Sequence, residues 1–194
     1  GFERENGTEL DWVLKQSAKQ ILFYDQNQTI KPSDILSSDF TSLSTKGSTY
    51  NTSLISQLRS LGGNDYVQFI DRLLNCHLRE SDKKFTSRNY DFFLFDSFED
   101  LVKTIKKRDA DVGLSRLAAG YSWSWESQNN PDRTVFDIEI AGIKLRWNAT
   151  NKDWINSENA ISEVGCIHTT QGYDLNYIGV IFGKEISYDS DTNQ

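Results

Sequence analysis

Three polar segments of this chain combine side chains suited to handling phosphate. In Asp25-Gln26-Asn27-Gln28, an Asp and a Gln three residues apart close an apolar run. A Gln amide can sense a phosphate while an ionised Asp orients a water or a basic partner; the alternative is a polar turn bonded to its own backbone. In Gln57-Leu58-Arg59-Ser60, an arginine stands just ahead of Gly62-Gly63. A guanidinium can hold a phosphate oxygen and neutralise charge that develops during phosphoryl transfer, or it can form a surface ion pair. In Ile167-His168-Thr169-Thr170-Gln171-Gly172-Tyr173-Asp174, hydroxyls and a glycine lie between two apolar runs. Such a turn suits a phosphate of a nucleotide or of a nucleic-acid backbone, and equally an ordinary helix cap beside a hydrogen-bonded histidine.

The elements that must position these segments follow from periodicity. Thr8 and Asp11 resemble a capping box ahead of a helix running to about Gln20, and Ile21-Leu22-Phe23-Tyr24 reads as a short buried strand. Residues 36–50 are rich in Ser and Thr and read as a loop. A strand is expected from Ser53 to Leu58, then a helix with Tyr66, Val67, Phe69, Ile70, Leu73 and Leu74 on its apolar face, capped by Asn64. Next come a strand at Phe92 and Leu94, a helix capped by Ser97, and a strand from Val112 to Ala118. Phe136, Ile138 and Ile140, the turn Ala141-Gly142, and Ile143, Leu145 and Trp147 form an antiparallel hairpin. Strands at Val164 to Ile167 and Tyr177 to Phe182 close the series. Strand, helix and strand in succession predict an α/β fold, a mostly parallel sheet flanked by helices with an inserted antiparallel β-hairpin.

Composition removes other classes. Lys and Arg number 21 against 28 Asp and Glu, a formal charge of −7, so any contact with nucleic acid must be local. No stretch approaches a membrane span and no secretory leader opens the sequence, which makes the cytoplasm the expected compartment, with no membrane partner. Cys76 and Cys166 form no disulfide framework, and with His77 and His168 they give no convincing metal spacing, so no metal ligand is expected. His168 lacks a nucleophile partner for a hydrolytic triad. Four Asn-x-Ser/Thr sequons, at Asn6, Asn27, Asn51 and Asn148, carry little meaning without secretion. Trp123 and Trp125, in Gly120-Tyr121-Ser122-Trp123-Ser124-Trp125, can stack on bases or close a satellite core. No G-x-x-x-x-G-K-[ST] loop is present to cradle nucleotide phosphates. The sequence contains no methionine and starts Gly1-Phe2-Glu3, which fits a piece of a larger protein.

In order and spacing the three polar segments resemble motifs III, IV and V of superfamily 1 helicases. Arg116-Leu117-Ala118-Ala119-Gly120-Tyr121 with Trp123 and Trp125, and Glu163 to Gly172, look more narrowly like an uncharacterised bacterial helicase-like family related to Schlafen group 3 proteins. The resemblance implies a RecA-like architecture, with residues 1–38 ending a first lobe and 39–194 forming most of a second. It implies that Gln28 senses the γ-phosphate and Arg59 neutralises charge on it, with Asp25 beside them as the remaining catalytic group. Gln57 and Asp174 would bind the nucleotide, Asp174 near the ribose. Thr169, Thr170 and the backbone at Gly172 would contact nucleic-acid phosphates, with Trp123 and Trp125 on the bases.

Three positions depart from the family pattern: Tyr24 replaces the motif III glycine, Leu58 an adenine-stacking aromatic, and Asp174 the usual Glu. The P-loop, the Mg-binding acidic motif and the motif VI arginine have no match in this sequence. The expected function is that of a fragment of a nucleic-acid-dependent ATPase or helicase, inactive alone. ATP and Mg would bind in the intact parent, whose partners would be single-stranded DNA or RNA and the first RecA-like lobe. The alternative is a degenerate RecA-like lobe serving as a protein-interaction or regulatory module.

Overall fold

The computed structural model describes residues 7–25, 35–45, 47–55, 60–82, 84–130, 132–184 and 186–192. The chain divides into two compact units, Gly1–Ile55 and Ser56–Gln194.

The first unit holds helices α1 (Glu9–Gln16) and α2 (Ser37–Ser44). The capping box at Thr8 forms as the sequence requires: Thr8 N donates to Asp11 Oδ2 at 2.8 Å and Asp11 N to Thr8 Oγ1 at 3.1 Å. The helix stops at Gln16, short of the expected Gln20. Residues 36–50 are not wholly a loop, because α2 lies within them. Its hydroxyls turn back onto its own carbonyls, Thr41 Oγ1 onto Ser37 O at 2.8 Å and Ser44 Oγ onto Thr41 O at 2.8 Å, so a Ser/Thr-rich segment stays helical. The buried strand expected at Ile21–Tyr24 does not form, and Ile21 and Phe23 are 85% and 82% exposed. Among the described residues this unit has no second strand to complete a ladder, and an isolated strand leaves its backbone groups unpaired. Tyr24 stacks on Phe40, with the ring centroids 4.4 Å apart.

In the second unit, helix α3 (Gly63–Leu74) buries Phe69 in an aromatic cluster with Tyr66, Phe85, Tyr90 and Phe92. Gly62, rather than Asn64, occupies the cap position; a Cβ there would lie 2.5 Å from Tyr66 Cβ. Neither expected strand before α4 is observed: residues 53–55 are irregular, 56–58 lie outside the described residues, and the run at Phe92–Leu94 is irregular. Phe92 is drawn into the aromatic cluster while Leu94 is 78% exposed, so tertiary packing of one ring overrides the apolar run.

Helix α4 (Phe98–Val112) starts at Ser97, whose Oγ accepts from Asp100 N at 3.2 Å. It is followed by β1 (Ser115–Ala119), β2 (Ile138–Ile140), β3 (Ile143–Trp147), β4 (Glu163–Cys166), α5 (Ile167–Thr170) and β5 (Tyr177–Ile181). The strands form one sheet in the order β2-β3-β4-β1-β5, parallel except for the β2–β3 hairpin. The hairpin turns at Ala141-Gly142, both at positive φ, the twist that two-residue hairpin turns favour. The result is a mixed α/β domain with a mostly parallel five-stranded sheet. No helix among the described residues is long and apolar enough to cross a membrane.

All five residues of β1 are buried, as befits a central strand. One sheet face packs Leu117, Ala119, Val164, Cys166 and Ile181 with Val102 and Ile105 of α4. Alternation turns Gly165 to the opposite face, where its missing Cβ makes room for Trp154; a Cβ would lie 2.3 Å from that ring. Trp154, Ile155 and Ala160, from two 3₁₀ turns, cover this side.

Arg116 links the layers. Its Nη1 lies 2.6 Å from Asp109 Oδ1 of α4, and its Nε donates to Ile155 O at 2.9 Å. Burial tends to raise the Asp109 pKa, but the Ser115 amide and the Arg116 guanidinium outweigh it and leave the carboxyl below its ordinary value. The stabilisation from this group is therefore in place above its ordinary value of 3.8 and is lost as pH falls through the lower value it has in the fold. Arg116→Ala leaves the buried Ile155 carbonyl without its donor and the half-buried Asp109 carboxylate with the Ser115 amide alone. It is expected to lower the unfolding free energy by roughly 1–3 kcal/mol in urea denaturation, and a loss below about 0.5 kcal/mol would remove Arg116 from this role.

Candidate functional site

Parallel strands deliver their following residues to one edge of the sheet, and here that edge gathers the chain after β1, β3 and β4. Three acceptors, two buried and one half-buried, organise it. Asn148, just beyond β3 and 2% exposed, takes Cys166 N on its Oδ1 at 3.0 Å and donates its amide to Thr150 O and Asn151 Oδ1, each at 3.0 Å. Asp137 accepts from Ser127 N at 2.7 Å, Ser127 Oγ at 2.6 Å and Trp147 N at 2.8 Å, tying the long loop after β1 to the hairpin. Glu163 accepts from Ala149 N at 3.0 Å and Trp154 Nε1 at 2.8 Å, joining the β3 exit to the far face.

On this frame sits an aromatic group. Trp147 is buried, Trp125 is half-buried with its ring 5.9 Å from that of Trp147, and Tyr121 lies 5.9 Å from Trp147 and 6.4 Å from Trp125. The exposed His168 ring lies 5.8 Å from Tyr121. Partial burial, reinforced by a hydrogen bond with the Cys166 thiol, pushes the Tyr121 phenol up to about 12, so the ring is neutral at physiological pH. Ser122 Oγ and Trp147 Nε1 are buried without a hydrogen-bond partner among the described residues, an uncommon state for polar atoms.

The segments singled out in the sequence are placed unevenly. Gln28, Gln57 and Arg59 lie outside the described residues. Asp25 is exposed in the first unit, and Asp174 is exposed in the connection from α5 to β5. Thr169 and Thr170 sit in α5 with their hydroxyls turned inward: Thr169 Oγ1 lies 2.8 Å from Cys166 O and 3.4 Å from Asn148 Oδ1, and Thr170 Oγ1 lies 3.3 Å from Ile167 O. Gly172 is exposed at φ +93°, a conformation that favours glycine. Trp123 and Trp125 pack against the main core as half-buried rings. The structure thus brings Thr169, Thr170, Trp123 and Trp125 to one sheet edge. It adds Tyr121, Asn148 and His168 as side chains of that edge. Of these, Asn148 had a signal in the sequence: it directly follows an alternating strand, where parallel sheets place functional groups. Among the described residues no cluster of three or more His, Cys, Asp or Glu could hold a metal ion.

This edge belongs to a helicase-related α/β domain. The sequence model described as "Schlafen group 3, DNA/RNA helicase domain" matches residues 2–194, and the chain belongs to that family. Among curated proteins it is similar to the uncharacterized protein YPL245W of Saccharomyces cerevisiae (strain ATCC 204508 / S288c), with 32% identity over 108 residues. That stretch is 53% of this chain and 23% of the yeast protein, so the matched region is a minor part of that relative. No solved structure matches the chain.

Asn148→Ala leaves the buried Cys166 amide without its acceptor and is expected to cost roughly 2 kcal/mol. Gly165→Ala drives a methyl into Trp154 and is expected to cost roughly 1–3 kcal/mol. Both are read by thermal or urea unfolding. Wild-type stability in either variant would show that the edge does not depend on that contact.

Proposed function

We propose that this chain is the second-lobe portion of a nucleic-acid-dependent ATPase or helicase. The supporting observation is the family match across residues 2–194, to a domain described as a DNA/RNA helicase domain. The mostly parallel sheet, with functional groups at its carboxyl edge, is consistent with it. On this reading residues 1–38 end the first RecA-like lobe of a superfamily 1 enzyme and 39–194 make up most of the second. The P-loop, the Mg-binding acidic motif and the motif VI arginine belong to other parts of the parent. Gln28, Arg59 and Asp25 act on the γ-phosphate side, and Gln57 and Asp174 on the rest of the nucleotide.

The strand lies along the carboxyl edge of the sheet. Because the Thr169 and Thr170 hydroxyls are engaged with main-chain carbonyls, phosphate contact there falls to main-chain groups near Gly172. That inward turn also favours a second reading, a degenerate lobe that serves as an interaction module.

Titration of the intact parent with labelled single strands over a salt series separates the two. The enzyme reading expects affinity to fall with salt, by a log–log slope of about −0.7 per phosphate neutralised. It also expects Gln28→Ala and Arg59→Ala each to reduce strand-stimulated ATP hydrolysis by about a hundredfold. A parent that binds no strand and hydrolyses no ATP leaves the interaction reading. Unchanged turnover in both variants removes those residues from the site.

A further inference from the structure

We propose that Tyr121 and His168 form a stacking platform for one base of a single nucleic-acid strand. The proposal rests on the nucleic-acid reading above and assigns the base contact to side chains other than the two tryptophans.

Strand register carries the argument. β1 and β4 are adjacent and parallel, with Ala119 opposite Cys166. Tyr121 and His168 each follow two residues later, so both chains leave the sheet in step and set the two rings side by side, 5.8 Å apart and tilted by 45°. Tyr121 remains 54% exposed although its ring contacts Trp147 and Trp125. It is held from one side by buried or half-buried indoles and open on the other. That is the condition for stacking: a flat apolar face already fixed in place, so that little rotamer freedom is lost when a base arrives.

Trp123 and Trp125 face the opposite demand. Both are packed against the core, which makes Trp125 a positioning residue beneath the platform. Charge is favourable as well. The Tyr121 phenol, already neutral at physiological pH at its ordinary value and raised further by burial, gives the platform no anion to repel a phosphate chain. Two polar atoms of the same cluster, Ser122 Oγ and Trp147 Nε1, are buried without partners among the described residues.

The test compares a fluorescent oligothymidylate with an abasic oligomer of the same length and charge, both titrated against the intact parent at one fixed low salt concentration. The abasic strand keeps the phosphates and removes the bases. Tyr121→Ala is expected to weaken oligothymidylate binding by about tenfold, with little change for the abasic strand. Tyr121→Phe, which keeps the ring, is expected to bind like the wild type, and His168→Ala to show a smaller loss. If Tyr121→Ala fails to fold by circular dichroism, Tyr121→Leu fills the same space without an aromatic face and takes its place. Equal losses on both strands, or no loss on either, overturn the platform while leaving the nucleic-acid reading in force. Absence of binding to any strand by the wild type overturns that reading and the platform with it. Competition by thymidine monophosphate at equal nucleotide concentration would make the ligand a free nucleotide and overturn the single-strand assignment.

Discussion

The carboxyl edge of the sheet depends on a backbone problem that the strands cannot solve for themselves. Where β3 and β4 end, amides that have run out of ladder partners still lie inside the protein, and burying them unpaired is costly. Asn148, Asp137 and Glu163 answer this from three directions, each accepting main-chain N–H groups of a different connection. The loop after β1, the hairpin and the entry to α5 are thereby fixed to one another by polar side chains whose bonds have a direction, where apolar packing alone would permit sliding. The aromatic group at the edge inherits its geometry from this frame. Trp147 is held through its own amide by Asp137, and Tyr121 packs its ring against that of Trp147.

Legibility of the fold in the sequence followed how local the signal was. Thr8 with Asp11, Ser97 ahead of α4, and Ala141-Gly142 between two alternating runs are short-range patterns with their own geometry, and each forms where expected. The inserted hairpin was readable for the same reason, whereas the parallel pairs join β1 to β4 and β5, and β3 to β4, and none of them involves the run at Phe92 from which a strand-helix-strand unit was expected. The runs Ile21–Tyr24 and Phe92–Leu94 were not, because an apolar run says only that burial is favourable and leaves the partner unspecified. In the first unit no strand is available among the described residues, and in the second Phe92 finds two rings, Tyr66 and Phe69, instead of a ladder. The hydroxyls of α2 failed as a loop signal because their bonding back to the helix is invisible to composition.

At the candidate site, the turn around Thr169 and the tryptophans of the loop after β1 were legible as chemistry-bearing segments. Which of their atoms face outward was not. A hydroxyl reads the same in sequence whether it meets solvent or, as Thr169 does, the carbonyl three residues back, with Asn148, 21 positions away, beside it. Tyr121 and His168 were hidden for a related reason: 47 residues separate them, and only the register of two adjacent strands makes them neighbours.

The buried place of Asn148 also bears on covalent chemistry. Its side-chain amide is the acceptor of a sequon, Asn148-Ala149-Thr150, yet in the fold that nitrogen is fully used as a hydrogen-bond donor and the residue is shut from solvent. A sugar attached there would displace both bonds and the Cys166 amide contact together. Glycan at Asn148 is thus incompatible with the native edge, and a chain carrying it would be recognisable as one modified before it folded.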